Sequence, residues 1–395
     1  MSGRWSHERR SSRLRAALLT WDMPPAPTGL GRAADLVARG LLEAGVDVTV
    51  FSADRAGEET VDGLRVVGCV VSDRLARMRH RAALGHLAAP LAFRRALLRE
   101  HERAPFDLVE ATNWYAPATL VPRSLPLVVR CSTPASEGAD PDAGLRDRLD
   151  LRFAHHLEAR TARRADAVIH NTTSHATRMA KEYGLDDMGH VVGLALEEDV
   201  LRRGRAAGYP SGDAPTFLFI GRAERRKGFD TVPGAFAILR ERWPQARLHL
   251  VGLSPGDLDA VETPDGIVDH GRASDETVAA LMERTHVVLA PSRYESYGLV
   301  YREAAAWGRP VVMCAEDPSA RSFAEEAGCG VLAERCEAGA VARAAVEAYE
   351  RREALRCAGL AHARTLSRAA LGSRTLAVYE AVLERRSGAR APDRS

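Results

Sequence analysis

Two stretches of the sequence gather side chains able to do chemistry. The first is Gly221-Arg222-Ala223-Glu224-Arg225-Arg226-Lys227-Gly228. It follows the apolar run Thr216–Ile220, which reads as a strand, and precedes a helical pattern over Thr231–Arg242. Backbone N–H groups at a helix N-terminus favour an anion. An arginine fork and a lysine point charge directly before that helix suit a diphosphate. The chain has 55 basic residues, of which only Lys181 and Lys227 are lysines. The competing reading is a basic, solvated turn in an arginine-rich protein.

The second stretch is Pro291-Ser292-Arg293-Tyr294-Glu295-Ser296-Tyr297-Gly298-Leu299-Val300-Tyr301-Arg302-Glu303. It follows another predicted strand, His286–Ala290. Glu295 stands in the loop and Glu303 in the predicted helix Val300–Trp307, with the amides of Ser296, Tyr297, Gly298, Leu299 and Val300 between them. A carboxylate suits a vicinal diol, since each oxygen accepts one hydroxyl, and sugars and ribose are such diols. The competing reading is two surface acids at a helix start. Phosphate cations after one strand and diol acceptors after another together describe a nucleotide-sugar site.

These two loops resemble the retaining glycosyltransferases of family 4. The pattern G-R-x4-K-G, then E-S-x-G-L-V-x2-E-A-x-A-x-G-x-P-V-V, carries the resemblance densely from Thr216 to Met313, and more weakly from Arg15 to Phe51 and from Leu157 to Tyr183. The resemblance implies the α/β GT-B fold, two Rossmann-like doubly wound domains around a cleft. It implies that Glu303 holds the ribose diol and Glu295 the donor sugar. Arg222 and Lys227, beside Gly221, would hold the pyrophosphate, and Arg272 would lie in the base-contacting loop Asp269–Arg272. It implies a nucleotide-diphospho-sugar substrate, UDP or GDP as the nucleotide, no metal and no further cofactor. Negative charge gathering on the leaving diphosphate would be stabilised by Arg222, Lys227 and helix-terminal amides. The departing oxygen would take the acceptor's proton. The formal Asp-x-Asp pairs, Asp140/Asp142 and Asp257/Asp259, read as turn residues.

Two departures bear on the donor. Where the family has a histidine after the strand Leu127–Cys131, this chain has Ser132, in Val129-Arg130-Cys131-Ser132-Thr133-Pro134. That histidine meets the donor sugar near C6, so the substitution implies either a donor altered at its C5–C6 end or lost activity; the intact second motif favours the former. Where the family continues with a Gly-Gly loop, this chain reads Met313-Cys314-Ala315-Glu316-Asp317-Pro318-Ser319.

A formal G-x-G-x-x-A (Gly29, Gly31, Ala34) follows the first strand, Arg15–Thr20. With Asp54 as ribose acid it would be a dinucleotide fingerprint. Eight residues separate strand from glycine, too many for that tight turn. In family 4 a glycine-rich loop here lies against donor phosphates or acceptor, a use that fits Gly29 and Gly31. The acceptor is expected around Gly29, Asn113, Trp114 and Ser132, as a small soluble metabolite of natural-product or thiol type. A hydrolase, phosphorylase or epimerase on nucleotide sugars, and a non-catalytic binding protein, would share these features.

Strand and helix patterns alternate throughout, which predicts parallel sheets covered on both faces. The expected organisation is a tail at 1–12, an N-terminal domain at 13–203, a linker at 204–215 and a nucleotide-sugar-binding domain at 216–368. A C-terminal helix at 369–385 is expected to pack back on the N-terminal domain, ahead of a tail at 386–395. The helical region from Arg352 to Arg385 is expected to break near Gly372. The basic stretch Asp73–Arg103 reads as a surface helix kinked at Pro90; membrane docking is its alternative.

The chain has 395 residues, enough for two domains. A hydrophobic fraction of 46% and 27% charged residues exclude disordered and collagen-like classes. A net charge of +2 argues against a nucleic-acid partner. No apolar run is long enough to span a bilayer. Six scattered cysteines without metal spacing read as reduced thiols, which points to a cytoplasmic protein. A homodimer is left open.

Overall fold

The computed structural model describes residues 13–26, 28–71, 84–138, 144–212, 214–258 and 263–388. The chain divides into two compact units, one of Met1–Ala195 with Arg368–Ser395 and one of Leu196–Ser367.

In the first unit the strands are β1 (Arg15–Thr20), β2 (Asp47–Ser52), β3 (Glu58–Val61), β4 (Leu64–Gly68), β5 (Leu108–Thr112), β6 (Leu127–Arg130), β7 (Ala167–His170) and β8 (His190–Val191). They form one sheet in the order β3-β4-β2-β1-β5-β6-β7-β8. β5, β6 and β7 are buried at every position, as strands covered on both faces must be. Helices α1 (Gly29–Glu43), α2 (Ala88–Arg103), α3 (Leu145–Arg163) and α4 (Thr173–Tyr183) connect them. The sheet is not wholly parallel. β3, four exposed residues, pairs antiparallel with β4 through an Asp62-Gly63 turn, both residues at positive φ. Asp-Gly is a strong signal for such a hairpin, but Glu-Glu-Thr-Val has no buried face and so carries no strand pattern of its own. Pro90 causes no kink: α2 begins at Ala88, so the proline occupies the first turn, where no backbone donor is lost. The arginines at 74, 77, 79 and 81 and the pair Asp140/Asp142 lie outside the described residues, as does Asp259.

The final helix, Arg368–Gly388, packs on α1. Gly372 does not interrupt it; the break falls at 364–367 instead. A Cβ on Gly372 would stand 1.8 Å from the carbonyl oxygen of Gly40, so the two glycines let two helix backbones touch. A helix glycine thus marked a close approach rather than an end.

The second unit contains α5 (Glu198–Ala206), β9 (Thr216–Ile220), α6 (Val232–Arg242), β10 (Arg247–Val251), β11 (Ile267–Asp269), α7 (Asp275–Arg284), β12 (Val287–Leu289), α8 (Leu299–Ala306), β13 (Val311–Cys314), α9 (Pro318–Ala327), β14 (Gly330–Ala333), α10 (Ala338–Glu350) and α11 (Arg352–Ala363). Its parallel sheet has the order β11-β10-β9-β12-β13-β14. Alternate residues of β9 serve opposite faces: Phe217 and Phe219 join the core with Phe236 and Leu248, while Leu218 joins Val288, Val311 and Met313.

The expected linker at 204–215 is not the junction, which lies between Ala195 and Leu196. Gly204 ends in α5, where a Cβ would stand 2.1 Å from the carbonyl oxygen of Ala306. Arg309 donates to Gly208 O at 2.8 Å, and Tyr209 Oη donates to His286 O at 2.8 Å. Gly204 serves close packing and the backbone at Gly208 and the Tyr209 side chain are tied down by hydrogen bonds, while Gly212 faces open space.

Candidate functional site

Each sheet reverses its strand order once. In the second unit the order runs outward from β9 to β10 and β11 on one side, and through β12, β13 and β14 on the other. In the first unit the reversal lies between β1 and β5. Ligands of doubly wound sheets bind beyond the carboxyl ends of the strands at such a switch point. The two stretches singled out by their chemistry are the loops that leave β9 and β12.

These loops are locked to each other. Gly228 has φ +71°, and a Cβ there would stand 2.0 Å from Pro291 O. Arg293 N–H donates to Arg226 O at 2.8 Å. Lys227 Nζ donates to Glu295 Oε1 at 2.5 Å, and Ser292 Oγ donates to the same oxygen at 2.8 Å. Arg226 Nη1 reaches Glu295 Oε2 at 3.5 Å and Tyr294 O at 3.1 Å. Arg293 forks onto Asp230 at 2.7 and 2.9 Å. The structure therefore brings Lys227 and Glu295 together and leaves Arg222 apart. The Arg222 side chain is 71% exposed and pairs with Glu224 at 2.7 Å, whereas that of Lys227 is 21% exposed. Lys227 does not directly precede a helix: the short 3-10 turns Arg225–Lys227 and Phe229–Thr231 intervene before α6.

The helix start expected after Glu295 is present. Gly298 caps α8 in the left-handed region at φ +72°, leaving the first amides of the helix, those of Leu299 and Val300, without helical acceptors. Ser296 is half-buried and Tyr297 buried; Glu303 lies half-buried in α8. Gly221, Gly252 and Gly271 follow β9, β10 and β11 and stack by backbone contact: Gly221 N–H donates to Val251 O at 2.9 Å and Gly252 N–H to Gly271 O at 2.7 Å. Arg272, next in line, is exposed.

Several supporting residues escaped the sequence reading. Arg302 is 2% exposed; its guanidinium lies 3.6 Å from the Tyr297 ring centre and donates to the carbonyl of Tyr297, clamping the turn before α8. Asp317, fully buried, caps α9 through Ser319 N–H and also accepts Glu295 N–H at 3.1 Å and Tyr301 Oη–H at 2.9 Å. Burial pushes its carboxyl up to about 6, against the pull of these hydrogen bonds. Asp-Pro-Ser is an N-cap signature that could have exposed it.

In the first unit, Gly31 is a structural glycine. Its N–H donates to the Thr28 cap at 2.9 Å, and a Cβ would stand 2.8 Å from Asp22 Oδ1. Gly29 faces open space. Asp54 is engaged by Arg55, Ser52 and Met23 N–H; although burial alone would raise its pKa, these partners bring it to about 2. With its oxygens so occupied, the dinucleotide reading loses its ribose acid. Ser132 and Asn113, from the loops after β6 and β5, are zipped together. Ser132 N–H and Oγ–H both donate to Asn113 Oδ1, at 2.7 and 3.0 Å.

Following Asn113 in the same loop, Trp114 and Tyr115 help to line a 340 Å³ cavity with Trp21, His86 and Asp150, among others. Trp114 is 37% exposed, and its ring meets those of Trp21 and Tyr115 edge to face. Trp21 Nε1 donates to Trp114 O at 2.6 Å, and His86 stacks on Tyr115 while bonding Asp150 at 2.8 Å. Sequence reading found Trp114 but not His86 or Asp150, which are far apart in the chain. Among the described residues no cluster of His, Cys, Asp and Glu is placed to hold a metal, and no helix is long and apolar enough to cross a membrane.

Comparison with known proteins decides the family. Residues 205–359 match the family described as glycosyl transferases group 1, and residues 28–195 match the glycosyl transferase 4-like domain. A D-inositol 3-phosphate glycosyltransferase of Kineococcus radiotolerans is 30% identical over 355 residues, covering 78% of this chain and 79% of that protein. The chain is a family 4 glycosyltransferase. Its fold agrees with that of sucrose-phosphate synthase from Thermosynechococcus elongatus (TM-score 0.73, 20% identity, 94% of this chain and 100% of that one). It also agrees with that of Anabaena HepE, solved in complex with UDP-glucose (TM-score 0.63, 17% identity, 95% and 100%). This glycosyltransferase thus has the GT-B architecture expected from its motifs.

Proposed function

We propose that this glycosyltransferase moves a sugar from a nucleotide-diphospho-sugar, with UDP or GDP as carrier, to a small-molecule acceptor with retention of configuration and without a metal. The observation that carries the reading is the locked pair of loops after β9 and β12. They hold a lysine ammonium, a carboxylate and a helix N-terminus at one switch point. Lys227 and the α8 amides stabilise charge on the departing diphosphate, with Arg222 assisting from the solvent side. Glu303 accepts the ribose hydroxyls. Glu295, its carboxylate shared with Lys227 and Ser292, presents its loop to the sugar. Gly221 lets the backbone approach the phosphates, and Arg272 borders the base. The leaving oxygen takes the acceptor's proton, so no side-chain base is required.

The acceptor occupies the aromatic cavity of the first unit that Trp114 lines, with Gly29 and Asn113 as its further expected contacts. Rings and a hydroxyl-accepting carboxylate suit a ring compound bearing hydroxyls. Ser132 in place of a histidine implies a donor altered at its C5–C6 end. The deciding experiment incubates the enzyme with a panel of nucleotide sugars and ring acceptors, then reads nucleoside diphosphate release and the anomeric configuration of the product by NMR. Release coupled to an α-linked product from an α-linked donor is expected, and Ser132→His should impair turnover of that donor. An inverted product would overturn the mechanism, and unchanged turnover in Ser132→His would remove Ser132 from the donor site.

A further inference from the structure

Glu158 lies on α3, a fully buried carboxyl with no part in the chemistry above. Both its oxygens are used. Oε1 accepts Tyr115 N–H at 2.8 Å and Ala135 N–H at 3.3 Å. Oε2 accepts Tyr183 Oη–H at 2.7 Å. Tyr183 Oη in turn accepts Asn113 Nδ2–H at 2.9 Å, and Asn113 Oδ1 accepts both protons offered by Ser132. Every donor in this chain has an acceptor only while Glu158 is ionised. A protonated carboxyl would donate to Tyr183, leaving the tyrosine proton without its acceptor and reversing the first link.

The two ends of the chain are the loops that meet substrate in the reading above. At one end, Tyr115 and Ala116 sit at φ +50° and +46°, a left-handed conformation that ordinary side chains adopt at a cost and that needs support from its surroundings. The Tyr115 amide is held by Glu158. At the other end, the Ser132 hydroxyl proton is committed to Asn113, so Oγ faces a ligand as an acceptor only.

Resting on the proposed transfer reaction, we infer that Glu158 is a positioning residue. Through Tyr183 and Asn113 it fixes Ser132 as an acceptor that selects a substrate hydroxyl donor, and through the Tyr115 amide it holds the aromatic loop in its left-handed turn. The titratable groups around it are Cys131 at the end of β6, Tyr115 after β5, Glu182 and Tyr183 on α4, and His155 on its own helix, whose ring packs on Tyr183. Burial foremost, with Glu182 adding to it, places the Glu158 pKa at about 7, so the ionised and protonated networks exchange within an accessible range.

The test compares wild type, Glu158→Gln, Tyr183→Phe and, as a control, His155→Gln between pH 5.5 and 9. Glutamine donates to Tyr183 and so imitates the protonated network. In wild type, kcat/KM for the substrate contacting Ser132 should rise as pH passes through about 7. Glu158→Gln should remain on the low-pH plateau, about tenfold below wild type at pH 8 and equal to it at pH 6, through KM rather than kcat. His155→Gln should keep the wild-type limb. Nucleoside diphosphate affinity, which belongs to the second unit, should be unchanged. The Trp114 contribution to tryptophan emission, taken without any substrate as the difference from the Trp114→Phe form of each protein, should titrate near pH 7 in wild type and not in Glu158→Gln. If Glu158→Gln does not fold, Tyr183→Phe, which deletes only the relaying hydroxyl, should raise the same KM. Wild-type KM and an unaltered limb in folded variants would overturn the inference. A wild type that neither binds nor turns over nucleotide sugars would instead overturn the underlying reading, and the emission titration would still decide whether Glu158 sets the loop.

Discussion

The two switch points share a topology and differ in chemistry. In the second unit the loops after β9 and β12 are cross-braced by charge: Lys227 on Glu295, Arg226 on Glu295, Arg293 on Asp230. In the first unit the loops after β5 and β6 are braced by a relay through Ser132, Asn113 and Tyr183 to Glu158, beside a wall of aromatic rings. On the proposed function, the difference shows how one scaffold would serve two ligands. The loops proposed to meet the diphosphate are built from charges already placed in pairs, so they are held before a ligand arrives. The loops proposed to meet the acceptor ring and the donor sugar are built from rings and directed hydrogen bonds, which read shape and hydroxyl orientation.

The comparison breaks most decisively at Lys227. Lys227→Ala removes the partly buried cation and leaves Glu295 with one fewer partner; kcat should fall about 10²–10³-fold, and a steady-state loss below about tenfold would contradict the assignment. Arg222→Ala should cost less than Lys227→Ala, because a solvent-screened charge does less work than a partly buried one. An equal loss would show that Arg222 moves in to contact the diphosphate. On the other side, Trp114→Ala should raise the acceptor KM about tenfold, an aromatic contact of roughly 1.4 kcal/mol. Donor KM and acceptor-free donor hydrolysis should stay constant; a change in donor KM alone would move the acceptor elsewhere.

The smallest effect concerns pH and stability, because opposed groups share a window. Burial lowers His170 and His286 to about 4 and His175 to about 3, and, with help from His270, lowers His249 to about 4. Unfolding frees these rings to take protons, so their contribution is lost as pH falls from about 6.5 towards 4. Glu158, near 7, and Asp317, near 6, work the other way, since the folded state holds their protons more tightly and gains stability as pH falls. Burial lowers His362 as well, and five histidines against two carboxyls predict a net loss, with the urea midpoint lower at pH 5 than at pH 7. His170→Leu, which removes a buried ring with no hydrogen-bond partner on either nitrogen, should lessen that loss.

Much of this was legible in the sequence where one local signal sufficed. β1, β7 and β9 are mainly apolar runs and β10 alternates polar and apolar residues, and all four form at the residues their patterns predict. The basic loop and the glutamate loop were legible because their chemistry is contiguous. What escaped depends on distant partners. Gly372 reads as a helix breaker until Gly40 is seen beneath it. Segment 204–215 reads as a linker until Arg309 and His286 are seen to hold it. His86 and Asp150 are 64 residues apart and Glu158 is 43 residues from Tyr115, so neither cavity nor relay has a local pattern.

The most direct test of the central claim is a thermal-shift panel of UDP, GDP, ADP, CDP and NAD on wild type and Lys227→Ala. A ligand at about 100 times its Kd stabilises by about 2.7 kcal/mol. For domains of this size that is roughly 2–4 °C per kcal/mol. The account predicts a shift of several degrees with UDP or GDP in wild type, sharply reduced in Lys227→Ala, and none with NAD. A shift with NAD alone, or an equal nucleoside diphosphate shift in the variant, would contradict it.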